Sequence, residues 1–138
     1  MRSGLTFEDL GDLLERPLLA TLATYDREGL VVLSPVWFEW WEGGFNVVVG
    51  AHDVKSRSLR RDPRASLVVA EAEPPMRGIE IRTLAKLSPN RADVDRRIAL
   101  RYLMPAAVDS FLASTGEGTM IRLDPGRIRA WDFADEHS

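Results

Sequence analysis

Two cations stand at the start of a short predicted helix, with one residue between them: Lys55 and Arg57. A helix start presents free backbone N–H groups and the positive end of the helix dipole, and Lys and Arg side chains add formal charge. This arrangement suits the binding of a phosphate or another anionic group. A solvated basic helix accounts for the same pattern, so the charges alone leave both interpretations open. Lys55 is distinctive because it is one of two lysines in a chain that has sixteen arginines.

The elements around this helix predict a mainly β, α+β fold. Asp53 is predicted to cap a helix from about residue 54 to 61, which Asp62-Pro63 ends. Hydrophobic alternation and turn residues predict strands over 18–25, 30–40 (bent at Pro35), 45–50, 64–71 and 78–87, and a closing pair over 120–123 and 127–133. Further helices are predicted over 7–15, 88–104 and 106–113.

Six or seven antiparallel strands in 138 residues indicate a small split or closed β-barrel with peripheral helices. Residues 1–138 are expected to form a single domain.

There is no cysteine, and His52 and His137 are the only histidines, so thiolate chemistry is excluded and a histidine-rich metal site is not expected. The net charge of −3 argues against nucleic acid as a partner. No signal peptide and no long apolar run is seen, so we expect a cytoplasmic protein without membrane contact.

Recognised catalytic motifs are missing, and we assign no general acid or base. Glu71 and Glu73 resemble a carboxylate pair, but both are expected on a solvated rim. His52 is expected to be polar surface in a loop. Three of the four tryptophans lie around one strand end, at positions 37, 40 and 41. At least one of them is expected to face outward, where it suits a planar ligand or a subunit interface.

A family resemblance extends over more than half of the chain. It is carried by residues 20–24, the turn at Gly29, Ser34-Pro35-Val36-Trp37-Phe38, Gly43-Gly44 and residues 55–67, and more loosely by 101–103 and 131–133. These segments resemble the flavin-binding split-barrel family related to pyridoxamine 5′-phosphate oxidase. The resemblance is greatest to its branch of small oxidoreductases that use the deazaflavin coenzyme F420 or FMN.

The resemblance implies a homodimer with a cofactor in each of two grooves at the subunit interface, and a small organic substrate. It implies that the flavin ring lies along Ser34, Pro35, Val36 and Trp37, and that Val49, Gly50 and Ala51 line the same groove. It further implies that Lys55, Arg57 and Ser58 bind the cofactor phosphate. Coenzyme F420 is the expected cofactor and FMN the alternative. The cofactor would supply the redox chemistry, with the protein providing orientation and shielding.

The chain departs from the family pattern at two places. Asp53 and Val54 stand where relatives often carry a basic or small hydroxyl residue, and Thr83 stands where many have glycine. An Asp beside a phosphate repels it, so Asp53 is expected either to cap the helix while turned away or to weaken binding. Two other functions remain open: a carrier or sensor of flavin or haem, with His52 as the axial ligand of a haem, and a purely structural dimer.

Overall fold

The structure, a computed structural model, describes residues 2–133, so His137 lies outside the described part. Ten strands occur in these residues: β1 (Arg2–Ser3), β2 (Ala20–Tyr25), β3 (Val31–Val36), β4 (Glu39–Trp41), β5 (Gly44–Gly50), β6 (Arg64–Ala70), β7 (Gly78–Leu84), β8 (Lys86–Pro89), β9 (Gly118–Leu123) and β10 (Arg127–Asp132). Three α-helices accompany them: α1 (Val54–Arg61), α2 (Ala92–Tyr102) and α3 (Pro105–Ser114). No helix within residues 2–133 is long and apolar enough to cross a membrane.

The strands form two antiparallel sheets. The larger has the order β1-β10-β7-β6-β2-β3, and the smaller has the order β4-β5-β9-β8. The predicted fold class, a mainly antiparallel split β-barrel with peripheral helices, is confirmed. The strand count exceeds six or seven because two predicted strands each contribute to both sheets and because β1 adds a short edge.

The core lies between the inner faces of the two sheets. From the larger sheet, alternate residues of β2 and β6 point inward, including Leu22 and Leu67, which are paired and 0% and 2% exposed. The smaller sheet contributes Phe45, whose ring lies 5.7 Å from that of Phe38. Both phenylalanines are fully buried. Burial of these side chains supplies most of the driving force that closes the sheets on each other.

The predicted strand over 30–40 divides at Trp37 and Phe38, not at Pro35. β3 belongs to the larger sheet and β4 to the smaller one, so the chain changes sheets at this joint. Pro35 stays inside β3, opposite Thr21, because β3 is an edge strand and tolerates a residue without an N–H. The break was missed because the segment contains no turn residue at 37 or 38.

The predicted strand over 78–87 divides in the same way, between β7 and β8. Ala85 lies at this joint and donates its N–H to the Pro63 carbonyl, 2.8 Å away. The prediction that Ser88-Pro89 opens a helix was wrong: both lie in β8, opposite Met120 and Thr119. The expected closing pair was also wrong, because β9 pairs with β5 and β8, whereas β10 pairs with β7 and β1.

The predicted N-terminal helix over 7–15 was wrong as well. Two short 3₁₀ turns, Glu8–Leu10 and Leu13–Glu15, take its place. They are separated at Gly11, whose φ of 61° lies in the left-handed region that a helix interior does not use. The Thr6 N–H donates to Asp9 Oδ2 at 2.9 Å, just before the first turn. Leu10, Leu13 and Leu14 of the two turns are all buried.

Candidate functional site

The start of α1 has the capped geometry expected from the sequence. Asp53 has extended backbone angles, φ −63° and ψ 151°, and its side chain accepts a hydrogen bond from the Lys55 N–H. The Asp53 Oδ1 to Lys55 N distance is 2.8 Å. This bond satisfies one of the free donors of the first helical turn, so the N-cap prediction is confirmed.

Asp53 also forms an ion pair with the side chain of Lys55. The Lys55 Nζ lies 2.9 Å from Asp53 Oδ1, and the two side chains are 18% and 33% exposed. Burial alone would raise the pKa of the Asp53 carboxyl, but hydrogen bonds from the Lys55 backbone and ammonium lower it below its ordinary value. Asp53 therefore caps the helix without turning away from the predicted anion site.

The helix start is tied directly to the end of β5. The Asp53 N–H donates to the Gly50 carbonyl at 3.0 Å, and the Ser56 hydroxyl donates to the same carbonyl at 2.9 Å. Val49, Gly50, Ala51 and the first turn of α1 therefore form one local unit. Ser56, which is fully buried, was missed as a member of this unit, since a serine between two charged residues gives no periodic signal.

The other two predicted phosphate ligands lie on different sides of α1. Arg57 is exposed, and among residues 2–133 its guanidinium has no hydrogen bond or ion pair. Ser58 is 4% exposed and lies on the buried side, next to Leu59. Arg57 is thus exposed and the Lys55 side chain is 18% exposed, whereas Ser58 is buried.

Arg60 extends from α1 across the end of β5. Its guanidinium donates to the Ala51 carbonyl at 3.2 Å and to Thr119 Oγ1 at 3.3 Å. A cavity of about 330 Å³ opens beside Ala51 and Arg60, and another of about 290 Å³ opens beside Val49 and Gly50. Open space therefore adjoins the strand end that the sequence assigned to the cofactor groove.

The segment expected to contact a flavin ring runs along the edge of the larger sheet. Ser34 is partly exposed, Pro35 exposed and Val36 buried. Trp37 is half-buried, with its ring stacked on that of Tyr102 at 4.9 Å and an interplanar angle of 5°. One face of the Trp37 ring is therefore already covered by α2. The outward tryptophan that the sequence predicted is Trp41, which is 41% exposed.

The two parts of the predicted cofactor groove lie in different sheets. Ser34 and Val36 belong to β3, whereas Val49 and Gly50 belong to β5. Among the described residues, no hydrogen bond joins the segment 34–37 to the segment 49–58. Thr83, the second departure from the family pattern, pairs with Ala65 within the larger sheet. The predicted cofactor groove thus consists of two segments, called half-sites below, that lie in different sheets of one chain.

The outer face of the larger sheet exposes apolar side chains. Val31 and Leu33 of β3 and Leu84 of β7 share this face and are 53%, 67% and 62% exposed. Leu19, before β2, and Leu30, before β3, are 58% and 60% exposed. Ser66 of β6 and Arg82 of β7 lie on the same face between these side chains, so the exposed apolar residues are interspersed with polar ones.

The expectation that Glu71 lies on a solvated rim was wrong. Its side chain is 3% exposed and forms ion pairs with Arg77, at 2.6 Å, and with Arg16. The hydrogen bonds from Arg77 lower the pKa of the Glu71 carboxyl. Glu71 thus anchors the N-terminal segment to the β6–β7 hairpin. Within residues 2–133, no group of three His, Asp or Glu side chains is arranged to hold a metal ion.

Residues 7–132 match the family described as pyridoxamine 5′-phosphate oxidase. The chain belongs to this family. A comparison with curated protein sequences finds no match. The chain's membership therefore rests on the family match, which spans nearly all of the described residues, and the fold agrees with it.

Solved structures with the same fold include proteins described as having different functions. A conserved hypothetical protein, Rv2991 from Mycobacterium tuberculosis, is 20% identical with a TM-score of 0.81, covering 97% of this chain and 89% of that one. An F420 reductase is 24% identical with a TM-score of 0.66, covering 85% and 93%. The haem storage protein HutZ from Vibrio cholerae is 17% identical with a TM-score of 0.71, covering 91% and 94%. At these identities the likeness shows the fold alone.

Proposed function

We propose that this protein is a cytoplasmic, homodimeric oxidoreductase that uses reduced coenzyme F420 to reduce a small organic substrate. The observation that carries the proposal is the local unit of Lys55, Arg57 and the strand end 49–51, in a chain of the pyridoxamine 5′-phosphate oxidase family. Bound reduced F420 would supply a hydride to the substrate, and water would supply the proton that balances the reduction. The protein's part is to bind and orient.

The donors present fit a phosphate. Lys55 and Arg57 offer charge-assisted hydrogen bonds beside the first turn of α1, where the helix dipole also favours an anion. Ser58, which is 4% exposed on the buried side of α1, is left out of this donor set. Ser34, Pro35, Val36 and Trp37 offer an extended, partly exposed backbone for a planar ring. Backbone groups of such a strand can bind a ring without any catalytic side chain. This agrees with the sequence analysis, which assigns no general acid or base.

The homodimer is supported by the exposed leucines and by the divided site. A second copy that covers Leu33 and Leu84 removes apolar surface from water. It also offers its own segment 34–37 or 49–58 to complete each half-site. A C2 dimer contains two equivalent sites of this kind, because both copies contribute the same surface.

The test is a fluorescence titration of the purified protein with F420 and with FMN. We expect F420 to bind more tightly, and Lys55→Ala to weaken its binding at least tenfold. The matched control is Lys86→Ala, because Lys86 is the other lysine, is 75% exposed and pairs with Asp124 away from α1. A Lys55→Ala protein that binds F420 as tightly as the wild type would falsify the phosphate assignment. Tighter binding of FMN than of F420 would assign the protein to the FMN alternative.

A carrier of haem is the second candidate, favoured by the exposed position of His52 between β5 and α1. An imidazole there is free to ligate iron beside the same strand end. This function predicts a Soret band on addition of haem that shifts in His52→Ala. An unchanged band in that variant excludes His52 as the axial ligand.

A further inference from the structure

The carboxylate of Asp53 already occupies the position where a phosphate is expected to bind. Its Oδ1 accepts the Lys55 N–H at 2.8 Å and contacts Lys55 Nζ at 2.9 Å. These are a backbone donor of the first helical turn and one of the two cations assigned to the site. A phosphate that used both donors would have to displace this carboxylate.

We propose that Asp53 is an internal anion that competes with the cofactor phosphate and so sets the affinity of the site for phosphate-bearing ligands. The inference rests on the proposed function, because it concerns the same site. It makes Asp53 a specificity-determining residue, because Asp53 lowers the affinity for ligands that carry a phosphate. The affinity for ligands without a phosphate is unaffected.

Capping alone does not account for the contacts of Asp53. An N-cap needs only the backbone bond, and Asn or Ser provides it about as well as Asp. The ion pair with Lys55 is an additional contact, and it neutralises a cation that the site would otherwise offer. Asp62, at the opposite end of α1, pairs with Arg64 instead, so the two carboxylates of this segment have separate roles.

The charges at the helix start indicate that Asp53 weakens the binding of a phosphate. The phosphate of either cofactor is an anion, and a carboxylate within about 4 Å repels it. Hydrogen bonds from Lys55 lower the pKa of Asp53, so the carboxyl is ionised at neutral pH. Arg57, exposed and without a side-chain partner among residues 2–133, remains as the available cation. Among the described residues, the helix start therefore offers a ligand one unpaired cation, Arg57, while Lys55 and Asp53 are paired with each other.

The decisive variant is Asp53→Asn, which removes the charge and retains an equivalent N-cap. Asp53→Ser is a second variant with the same expectation. Each protein is titrated with F420, FMN and riboflavin, which is FMN without its phosphate. We expect F420 and FMN to bind about tenfold more tightly to Asp53→Asn, or about 1.4 kcal/mol. Riboflavin binding should not change, and Asp62→Asn, the matched control on the same helix, should behave like the wild type.

The outcomes separate this inference from the proposed function. Unchanged FMN and F420 binding in both Asp53 variants overturns the inference, as does an equal gain for riboflavin. If no protein binds any flavin, the proposed function fails, and inorganic phosphate becomes the probe. Phosphate-induced shifts of the Lys55 and Ser56 amide signals, stronger in Asp53→Asn than in the wild type, would then still support the competition. Equal shifts in the two proteins would overturn it.

Discussion

The rings of Trp37 and Tyr102 stack in parallel, 4.9 Å apart, at the joint where the chain passes from one sheet to the other. The Tyr102 hydroxyl accepts the Phe38 N–H at 3.2 Å and donates to the Leu18 carbonyl at 2.8 Å. One side chain of α2 therefore fixes both the backbone of the joint and the orientation of the indole. Because Trp37 belongs to the predicted ring-binding segment, Tyr102 is a positioning residue for the candidate site.

Replacing Tyr102 by Phe should keep the ring stack and remove the two hydroxyl contacts. The buried Phe38 N–H and the Leu18 carbonyl would then lose their partner. We expect this loss to lower the free energy of unfolding by about 1–2 kcal/mol. For a chain of this length, each 1 kcal/mol corresponds to a fall in Tm of about 3 °C. Thermal unfolding followed by circular dichroism measures the change. Tyr25→Phe is the control, since no hydrogen bond of the Tyr25 hydroxyl to a described residue is present, and an equal fall in both variants would contradict the assignment.

Glu71 should make the stability of the protein sensitive to acid. Its carboxyl has a lowered pKa in the folded state, through hydrogen bonds from Arg77 that outweigh the effect of burial. The folded state therefore binds this proton less readily than the unfolded state. The stabilisation is fully present above the ordinary pKa of glutamate and is lost as the pH falls through the lowered pKa.

The variant Glu71→Gln tests this expectation. It leaves the guanidiniums of Arg77 and Arg16 without their shared carboxylate. We therefore expect the free energy of unfolding at neutral pH to fall by about 3 kcal/mol. Urea unfolding at several pH values should show a weaker acid dependence than in the wild type. Glu73→Gln, at an exposed neighbouring position, is the control. Parallel stability profiles for the wild type and Glu71→Gln would show that Glu71 is not the titrating group.

Gly78 should be intolerant of any side chain. A Cβ at this position would lie 2.3 Å from Cζ2 of Trp131, the residue opposite it on β10. The indole has to move, so Gly78→Ala should destabilise the fold by about 1–3 kcal/mol, as in other overpacked sites. Gly116→Ala is the control, because a Cβ there meets no atom within 4 Å. Equal unfolding midpoints for the two variants would refute the packing argument.

The exposed leucines of the larger sheet should determine the oligomeric state. Leu33→Glu places a charge on the face proposed to bind a second copy, where burial without a partner is costly. We expect the variant to sediment as a monomer in analytical ultracentrifugation at a concentration where the wild type is a dimer. Leu100→Glu, on α2 at a position 47% exposed, should leave the dimer intact. A dimeric Leu33→Glu protein would place the interface elsewhere.

Local signals predicted the local structure well. The cap at Asp53, the bounds of α1 and the turn at Gly29 depend on residues within a few positions of one another, and all are confirmed. The two sheet joints were missed because the choice of sheet is made by partners far along the chain. Val36 pairs with Ala20, whereas Glu39 pairs with Asn46, and nothing in the sequence between them marks the change.

The candidate site was predictable only where it is local. Lys55 and Gly50 were expected together, and they lie in one hydrogen-bonded unit. The pairing of Lys55 with Asp53, the burial of Ser58 and the stacking of Trp37 on Tyr102 depend on side-chain direction and on tertiary packing. Tyr102 lies 65 residues from Trp37, and no periodic pattern relates the two positions.

Pro35 has a consequence for solubility. It lies in β3, the last strand of the larger sheet, and has no N–H to offer to a further strand. An edge interrupted in this way is a poor template for the sheet-to-sheet growth that leads to fibres. This edge of the sheet therefore resists aggregation, although the adjoining face exposes Leu33 and Val31 to water.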